Sequence, residues 1–357
     1  MSEIVASQAS QRNIEELGLA MATHIGLKRS RNDDRIAVSR IVAPNAETYT
    51  VAFVCDGVGG LELGNQAAAL AIANIITDLA QQQARLSLDT LAVQLVRRAD
   101  DFVRQELQGR GATTLVMLLA AASRVLVCAN VGDSRAYSWN PSTGKLQQIT
   151  VDDTIENELR NLPGNPDALI KARGLQGRLS QAVGESGRSS DELRVQIYKD
   201  EHFRAGAILG SDGLWRVAKD FEAAVAGSVT PQEATRRAIS LANWVGGVDN
   251  ASSIAVGNLD LLYGLSHAEL PVNFQRPEIT LWSPSAKIKF ITRDWLEGET
   301  PAEVPVKAEK AKRGVKKRAG RRAENATQQG KEQIDLKKEE EKPKIEITIH
   351  EEQNKLI

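Results

Sequence analysis

The sequence predicts an α+β fold, and three observations carry that prediction. Short β-branched and aliphatic runs, from Thr48 to Val54 and again across 111–139, alternate with turn residues such as Ala122-Ser123-Arg124 and Gly132-Asp133-Ser134. Runs of this kind read as paired strands with at least one covered face. Between them, two long stretches place apolar residues at helical spacing, so helices pack on the sheet. The chain has 357 residues, 42% of them hydrophobic, which suffices for a sizeable core in one large domain or two ordinary ones.

Taken in order, 64–82 ("GNQAAALAIANIITDLAQQ") and 88–107 ("LDTLAVQLVRRADDFVRQEL") predict the two helices, with Leu88, Leu91, Leu95 and Phe102 on one stripe of the second. A Gly/Pro-punctuated region over 150–190 reads as a surface flap containing one short helix. A further helix is announced by "TPQEATRRAISLANWV", with Thr230 as N-cap, Pro231 in the first turn and Glu233 closing a capping box; Trp244 and its stripe read as core. The stretch "EITLWSPSAKIKFI" (278–291) alternates as a strand does and is expected to dock on the domain or on a partner. Residues 301–344 are mostly Lys, Arg, Glu, Ala and Gln and cannot bury enough apolar surface to offset ordering, so disorder or a solvated helix is expected. Ile345, Ile347 and Ile349 alternate and suit addition to a partner's sheet edge. The expected organisation is an N-terminal segment 1–22, a main domain 23–260, a docking segment 261–300 and a charged tail 301–357.

The formal net charge of −1 hides an uneven distribution, because 301–344 hold 14 Lys/Arg against 8 Asp/Glu and leave the rest acidic. Within the tail, "KAEKAKRGVKKRAGRR" (307–322) has nine basic residues and one acidic. It could contact an anionic partner, or serve only as a solubilising tether, and no aromatic residue interleaves for base stacking. Two cysteines, Cys55 and Cys128, sit in apolar runs without framework spacing, which fits a reducing compartment. No basic-then-apolar leader and no membrane-length apolar window is present, so a cytoplasmic location without a membrane span is expected.

Acids recur beside the strand-like runs. Asp56 ends "VAFVCDGVGG", Asp133 lies in "NVGDSRAY", Asp212 in "AILGSDGLW", Asp249 in "VDNASSIAV", and Asp33 and Asp34 in "RSRNDDRIAV". One such acid is an ordinary turn residue. Five sites gathered at one sheet edge would repel and raise one another's pKa unless a cation sat among them. Hard divalent ions such as Mg²⁺ and Mn²⁺ take carboxylate oxygens, whereas His24, His202, His267 and His350 are scattered and argue against a zinc site. Gly57 suits a tight turn that aims a carbonyl at an ion, and two ions about 4 Å apart would activate water for attack on phosphorus.

The ordered series "RSRNDD", "CDGVGG", "GATTLV", "GDSRAY", "LSQAVG", "GSDGLW" and "DNASSIAV" resembles the motif set of the metal-dependent serine/threonine protein phosphatases (PPM, type 2C), the bacterial ones in particular, over about 24–257. The resemblance implies a four-layer αββα sandwich with two metal ions, Mn²⁺ or Mg²⁺, in a cleft at one end of the central sheets. It implies that Asp56 bridges both ions and that Gly57 offers its carbonyl. Asp212 and Asp249 would hold the first ion, Asp34 would act through water at the second, and Asp133 would serve a third, weaker site. Arg29 matches the arginine that grips the substrate phosphate, a task that suits a planar fork. The implied activity is hydrolysis of phosphoserine and phosphothreonine in proteins, with a Ser/Thr kinase or its target as partner.

The sequence also departs from the family pattern. Asp33 stands where a Glu is common, Val58 where some members have His, and Asp152-Asp153-Thr154 where Asp-His-Ser is common. A cysteine phosphatase is excluded by spacing: Arg135 lies one residue too far from Cys128, and Leu61 stands at that place after Cys55. The remaining alternative is a phosphatase-like module that binds phosphoprotein, turns over poorly and acts through its basic tail.

Overall fold

The structure is a computed structural model, and it describes residues 8–58, 62–160, 166–203, 205–216, 218, 220–264, 278–292 and 345–350. In chain order the elements are β1 (Ala9–Ile14), β2 (Leu19–His24), β3 (Arg35–Val42), β4 (Thr48–Cys55), α1 (Gly64–Ala80), α2 (Leu88–Leu107), β5 (Leu115–Ala121), β6 (Val125–Val131), β7 (Arg135–Asn140) and β8 (Lys145–Gln148). There follow α3 (Ile155–Arg160), α4 (Pro166–Arg173), β9 (Gln196–Lys199), β10 (Gly206–Gly210), α5 (Phe221–Ala226), α6 (Pro231–Trp244), β11 (Ala251–Val256), β12 (Glu278–Trp282), β13 (Lys287–Thr292) and β14 (Ile345–His350). The strands form two antiparallel sheets, in the orders β1-β2-β11-β10-β7-β8 and β14-β13-β12-β3-β4-β5-β6-β9.

Alternation along the strands dictates the layers, because successive side chains point to opposite faces. In β4, Val51, Phe53 and Cys55 pack under α1 and α2, while Ala52 and Val54 face the other sheet. In β10, Ala207 and Leu209 meet that same central layer, while Ile208 turns outward against α5 and α6. Both faces of both sheets are therefore covered. This explains why β4 reads as an unbroken apolar run, and it yields the four-layer αββα sandwich implied by the resemblance.

The helices begin and end nearly where their periodicity places them. Thr230 caps α6, its Oγ1 accepting from Glu233 N at 3.2 Å, but the Glu233 carboxylate accepts from Val229 N rather than from the cap residue, so the box is only half closed. The buried stripe of α2 runs Leu88, Leu91, Leu95, Ala99, Val103 and Leu107 and leaves Phe102 half-buried. A straight helix turns 3.6 residues per turn, so a strict seven-residue step from Leu95 drifts off the face. Trp244, expected in the core, is 84% exposed at the C-terminal end of α6, where the helix has outrun the sheet it covers.

The flap holds two short helices, α3 and α4, rather than one. β12 and β13 form a hairpin whose first strand pairs with β3 along Glu278↔Val42 to Trp282↔Val38, and Trp282 is buried in the central layer. Residues 345–350 pair with β13 of their own chain. The tail reading over 301–344 lies outside the described residues. Cys55 and Cys128 are buried free thiols, and burial pushes both thiol pKa values up. No described helix is long and apolar enough to cross a membrane.

Candidate metal and phosphate site

Register brings the acids together. Arg35 pairs with Cys55, Val54 with Val116 and Leu115 with Val131, so the start of β3, the end of β4 and the end of β6 share one end of their sheet. In the other sheet, Gly210 pairs with Arg135 and with Ser253, which aligns the start of β7, the end of β10 and the start of β11. Asp34 and Asp56 flank β3 and β4, Asp212 and Asp249 flank β10 and β11, and Asp133 lies on the turn that passes from β6 in one sheet to β7 in the other. A cleft of about 520 Å³ opens at this end, lined by Arg29, Asp56, Asp133, Asp212 and Asp249 among others, with Asp33 and Val58 also on its wall.

The backbone around Asp56 is fixed from several sides. Asp56 N donates to Thr114 Oγ1 at 3.0 Å, and its carbonyl accepts from Thr113 Oγ1 and Thr114 N, each at 2.9 Å. A Cβ on Gly57 would fall 2.5 Å from the Gly64 carbonyl carbon, so glycine is needed for the close approach of α1 rather than for a left-handed turn. Asn250 ties the loop before β3 to the start of β11: its Oδ1 accepts from Asp33 N at 2.7 Å, and its Nδ2 donates to Ile25 O at 2.8 Å and Arg31 O at 3.0 Å.

Burial and mutual repulsion dominate the electrostatics. Burial, reinforced by Asp34 and Asp212, pushes the Asp56 carboxyl well above the usual carboxylate range. Burial raises Asp34 to about 7, against the hydrogen bond from Ser211 Oγ at 2.7 Å. Asp133 is raised to about 7 by burial and by Asp212, and Asp212 is raised by burial against the pull of Arg216. Two buried oxygens, Asp34 Oδ1 and Asp212 Oδ1, have no hydrogen-bond partner among the described residues. Such orphans are costly, and carboxylate oxygens gathered in a cleft are the donor set that hard divalent ions take. Among the described residues no three acidic, His or Cys side chains form a ready-made metal cage. Guanidinium groups stand among the acids: Arg29 Nη2 lies 2.7 Å from Asp249 Oδ2, and Arg216 Nη2 lies 2.6 Å from Asp212 Oδ2 and 3.0 Å from Asp133 Oδ2.

Every residue singled out from the sequence thus reaches this end of the sandwich. Sequence reasoning missed Arg216, Asn250, Thr114 and Ser211. Arg216 was findable, since it lies four residues after Asp212, the spacing at which side chains share a helical face. The others act through partners distant in sequence, Asn250 and Thr114 on backbone groups and Ser211 on the Asp34 carboxylate, which no local pattern encodes.

Comparison with known proteins agrees with this geometry. A family model described as "Protein phosphatase 2C" matches residues 23–236. The serine/threonine phosphatase stp of Listeria welshimeri is 27% identical over 247 residues, covering 66% of this chain and 93% of that protein. Protein phosphatase PhpP of Streptococcus pneumoniae is 24% identical over 243 residues, covering 65% and 94%. Among solved structures, a PPM Ser-Thr phosphatase from Mycobacterium smegmatis in complex with cacodylate superimposes with a TM-score of 0.52 at 25% identity, covering 68% of this chain and 98% of that one. The serine/threonine phosphatase Stp1 of Staphylococcus aureus shares the fold, with a TM-score of 0.56 at 20% identity, covering 71% and 96%.

Proposed function

The chain belongs to the protein phosphatase 2C family, and from that membership we propose that it is a Mg²⁺- or Mn²⁺-dependent phosphatase acting on phosphoserine and phosphothreonine in proteins. The observation that carries the metal reading is the convergence of Asp56, Asp133, Asp212 and Asp249 from both sheets on one cleft, with Asp34 buried at the same end and two buried carboxylate oxygens, Asp34 Oδ1 and Asp212 Oδ1, unpartnered among the described residues. Asp56 and the Gly57 carbonyl, with Asp212 and Asp249, would hold the ions. Asp34 would act at the second ion through water, and Asp133 would serve a third site. When bound, such ions supply Lewis acidity and activate water at neutral pH.

The remaining work falls to the chain's own groups. Arg29 is 43% exposed and its guanidinium faces the cleft, so it can exchange Asp249 for an incoming phosphate and orient it through paired N–H donors. Asp249 raises the Arg29 pKa, which keeps the guanidinium charged at any working pH. Val58 lines the cleft without a titratable group, so it offers no proton to the departing hydroxyl. A Ser/Thr kinase or its target as partner, a cytoplasmic location and a phosphatase domain spanning 23–260 complete the proposal. The binding-module alternative is not favoured, because the relatives are named as phosphatases and no expected acid is missing.

The deciding experiment is hydrolysis of a phosphothreonine peptide with Mn²⁺, Mg²⁺ or EDTA, beside Asp212→Asn. Turnover that requires the ion and is lost in the variant is expected; an unchanged rate in Asp212→Asn would remove the site assignment.

A further inference from the structure

Arg216 is anchored at its backbone by donation from its N to Asp212 O at 3.0 Å, immediately after the turn Asp212–Leu214. From there a single terminal nitrogen bridges two carboxylates that come from different segments, Asp212 and Asp133. The side chain is 46% exposed, so its place is on the wall of the cleft and not in the packing beneath it. We propose that Arg216 is a tethered counter-cation of the metal site: it neutralises Asp133 and Asp212 until divalent ions load, and it must release them for loading to be complete. The inference rests on the metal reading of these acids.

Stereochemistry sets the exchange at the Oδ2 atoms of Asp133 and Asp212, the oxygens that Arg216 holds, while Asp212 Oδ1 stays open to an ion. An ion of Mg²⁺ size binds carboxylate oxygen at about 2.0–2.1 Å, and no guanidinium nitrogen can keep hydrogen-bond distance to the same oxygen from the same side. Competition follows from charge as well, since a divalent ion arriving at these two acids meets the repulsion of a guanidinium already in place. The released side chain has somewhere to go. Arg216 also lines a neighbouring groove of about 580 Å³, shared with Asp133 and Gly177, which gives the side chain room to swing; the acids on its wall, Asp152 and Glu156, are already held by Arg135 and Arg160. Lysine would retain the charge, though with one compact ammonium in place of the fork.

The test is titration of Mn²⁺ into the EDTA-stripped full-length protein by calorimetry, with melting curves of the same samples, for wild type, Arg216→Gln and Arg216→Lys. Arg216→Gln is expected to tighten Mn²⁺ binding about tenfold, and Arg216→Lys to stay within about threefold of wild type. Without metal, Arg216→Gln should melt below wild type, and saturating Mn²⁺ should close that gap. Superimposable isotherms for wild type and Arg216→Gln, or weaker binding in the variant, would overturn the inference while leaving the metal reading intact. No Mn²⁺ uptake by any of the three would overturn the metal reading and the inference together.

Discussion

Two sets of buried aspartates in this molecule are alike in residue type and opposite in circumstance. Asp100 and Asp153 are saturated with donors. Asp100 accepts from Gly184 N at 2.7 Å, from Arg104 Nη1 at 3.0 Å and from Arg188 Nη2 at 2.9 Å. Asp153 accepts from Gly132 N, Gln181 Nε2, Arg194 Nη2 and Gln196 Nε2, at 2.8 to 3.0 Å. Asp34 and Asp212, by contrast, each keep an oxygen unpartnered and stand among other acids. A saturated carboxylate holds structure; a starved one waits for something to hold. The two sets are linked, for Asp153 pins the peptide next to Asp133, and Asp100 pins Gly184 beside Val183, whose bridge to Thr113 supports Asp56.

The comparison can be broken by exchanging the expected phenotypes. The largest effect is expected for Asp56→Asn, with turnover of a phosphothreonine peptide down by about a thousandfold or more, equivalent to roughly 4 kcal/mol of barrier. Its metal-free melting temperature should be unchanged or higher, because a repelled carboxyl has become a neutral amide; a marked fall in melting temperature would place Asp56 with the structural set. Next in size, Asp153→Ala removes an acceptor shared by four donors, leaving Gly132 N without its partner, and should lower unfolding free energy by about 3 kcal/mol in urea titrations. Wild-type stability in that variant would show that saturation carries no structural weight.

The smallest effect sharpens the contrast through pH. Asp34 and Asp133 are raised to about 7 in the folded protein, whereas an unfolded aspartate titrates near 4. Between those values the folded, metal-free protein binds more protons than the unfolded chain. The stability contributed by these two groups is therefore complete below about pH 4 and lost as pH rises through about 7. Ions bind the ionised form, so the gain in melting temperature from Mn²⁺ should grow from about pH 5 to about pH 8. A gain independent of pH over that range would mean that these carboxyls are not the ones that ions engage.

What was legible in the sequence was whatever a short window encodes. The acids at the run ends, the starts of α2 and α6 and the buried runs of β4 to β6 all depend on near neighbours and on period. What was hidden depends on partners far along the chain. β1 was read only as part of an N-terminal segment because its place beside β2 is a pairing choice, and the strand at 345–350 showed its alternation without showing that β13 is its neighbour. Trp244 was misplaced because helical periodicity says which face is apolar, not where the helix leaves the sheet. Arg216 was overlooked for a related reason: the reach of a long side chain is set by the turn it stands on.

The acids at this end of the sandwich are divided between the two sheets, Asp34 and Asp56 on one, Asp212 and Asp249 on the other, and between the sheets lies the apolar layer of Val54, Leu118, Leu209 and Ile254. That layer is a calliper. Its thickness sets how far apart the two jaws of carboxylates stand, and close-packed interiors hold such a gap firmly because they resist compression. On the metal reading proposed above, the choice between a smaller and a larger ion would thus be written partly in methyl groups that never approach the cleft.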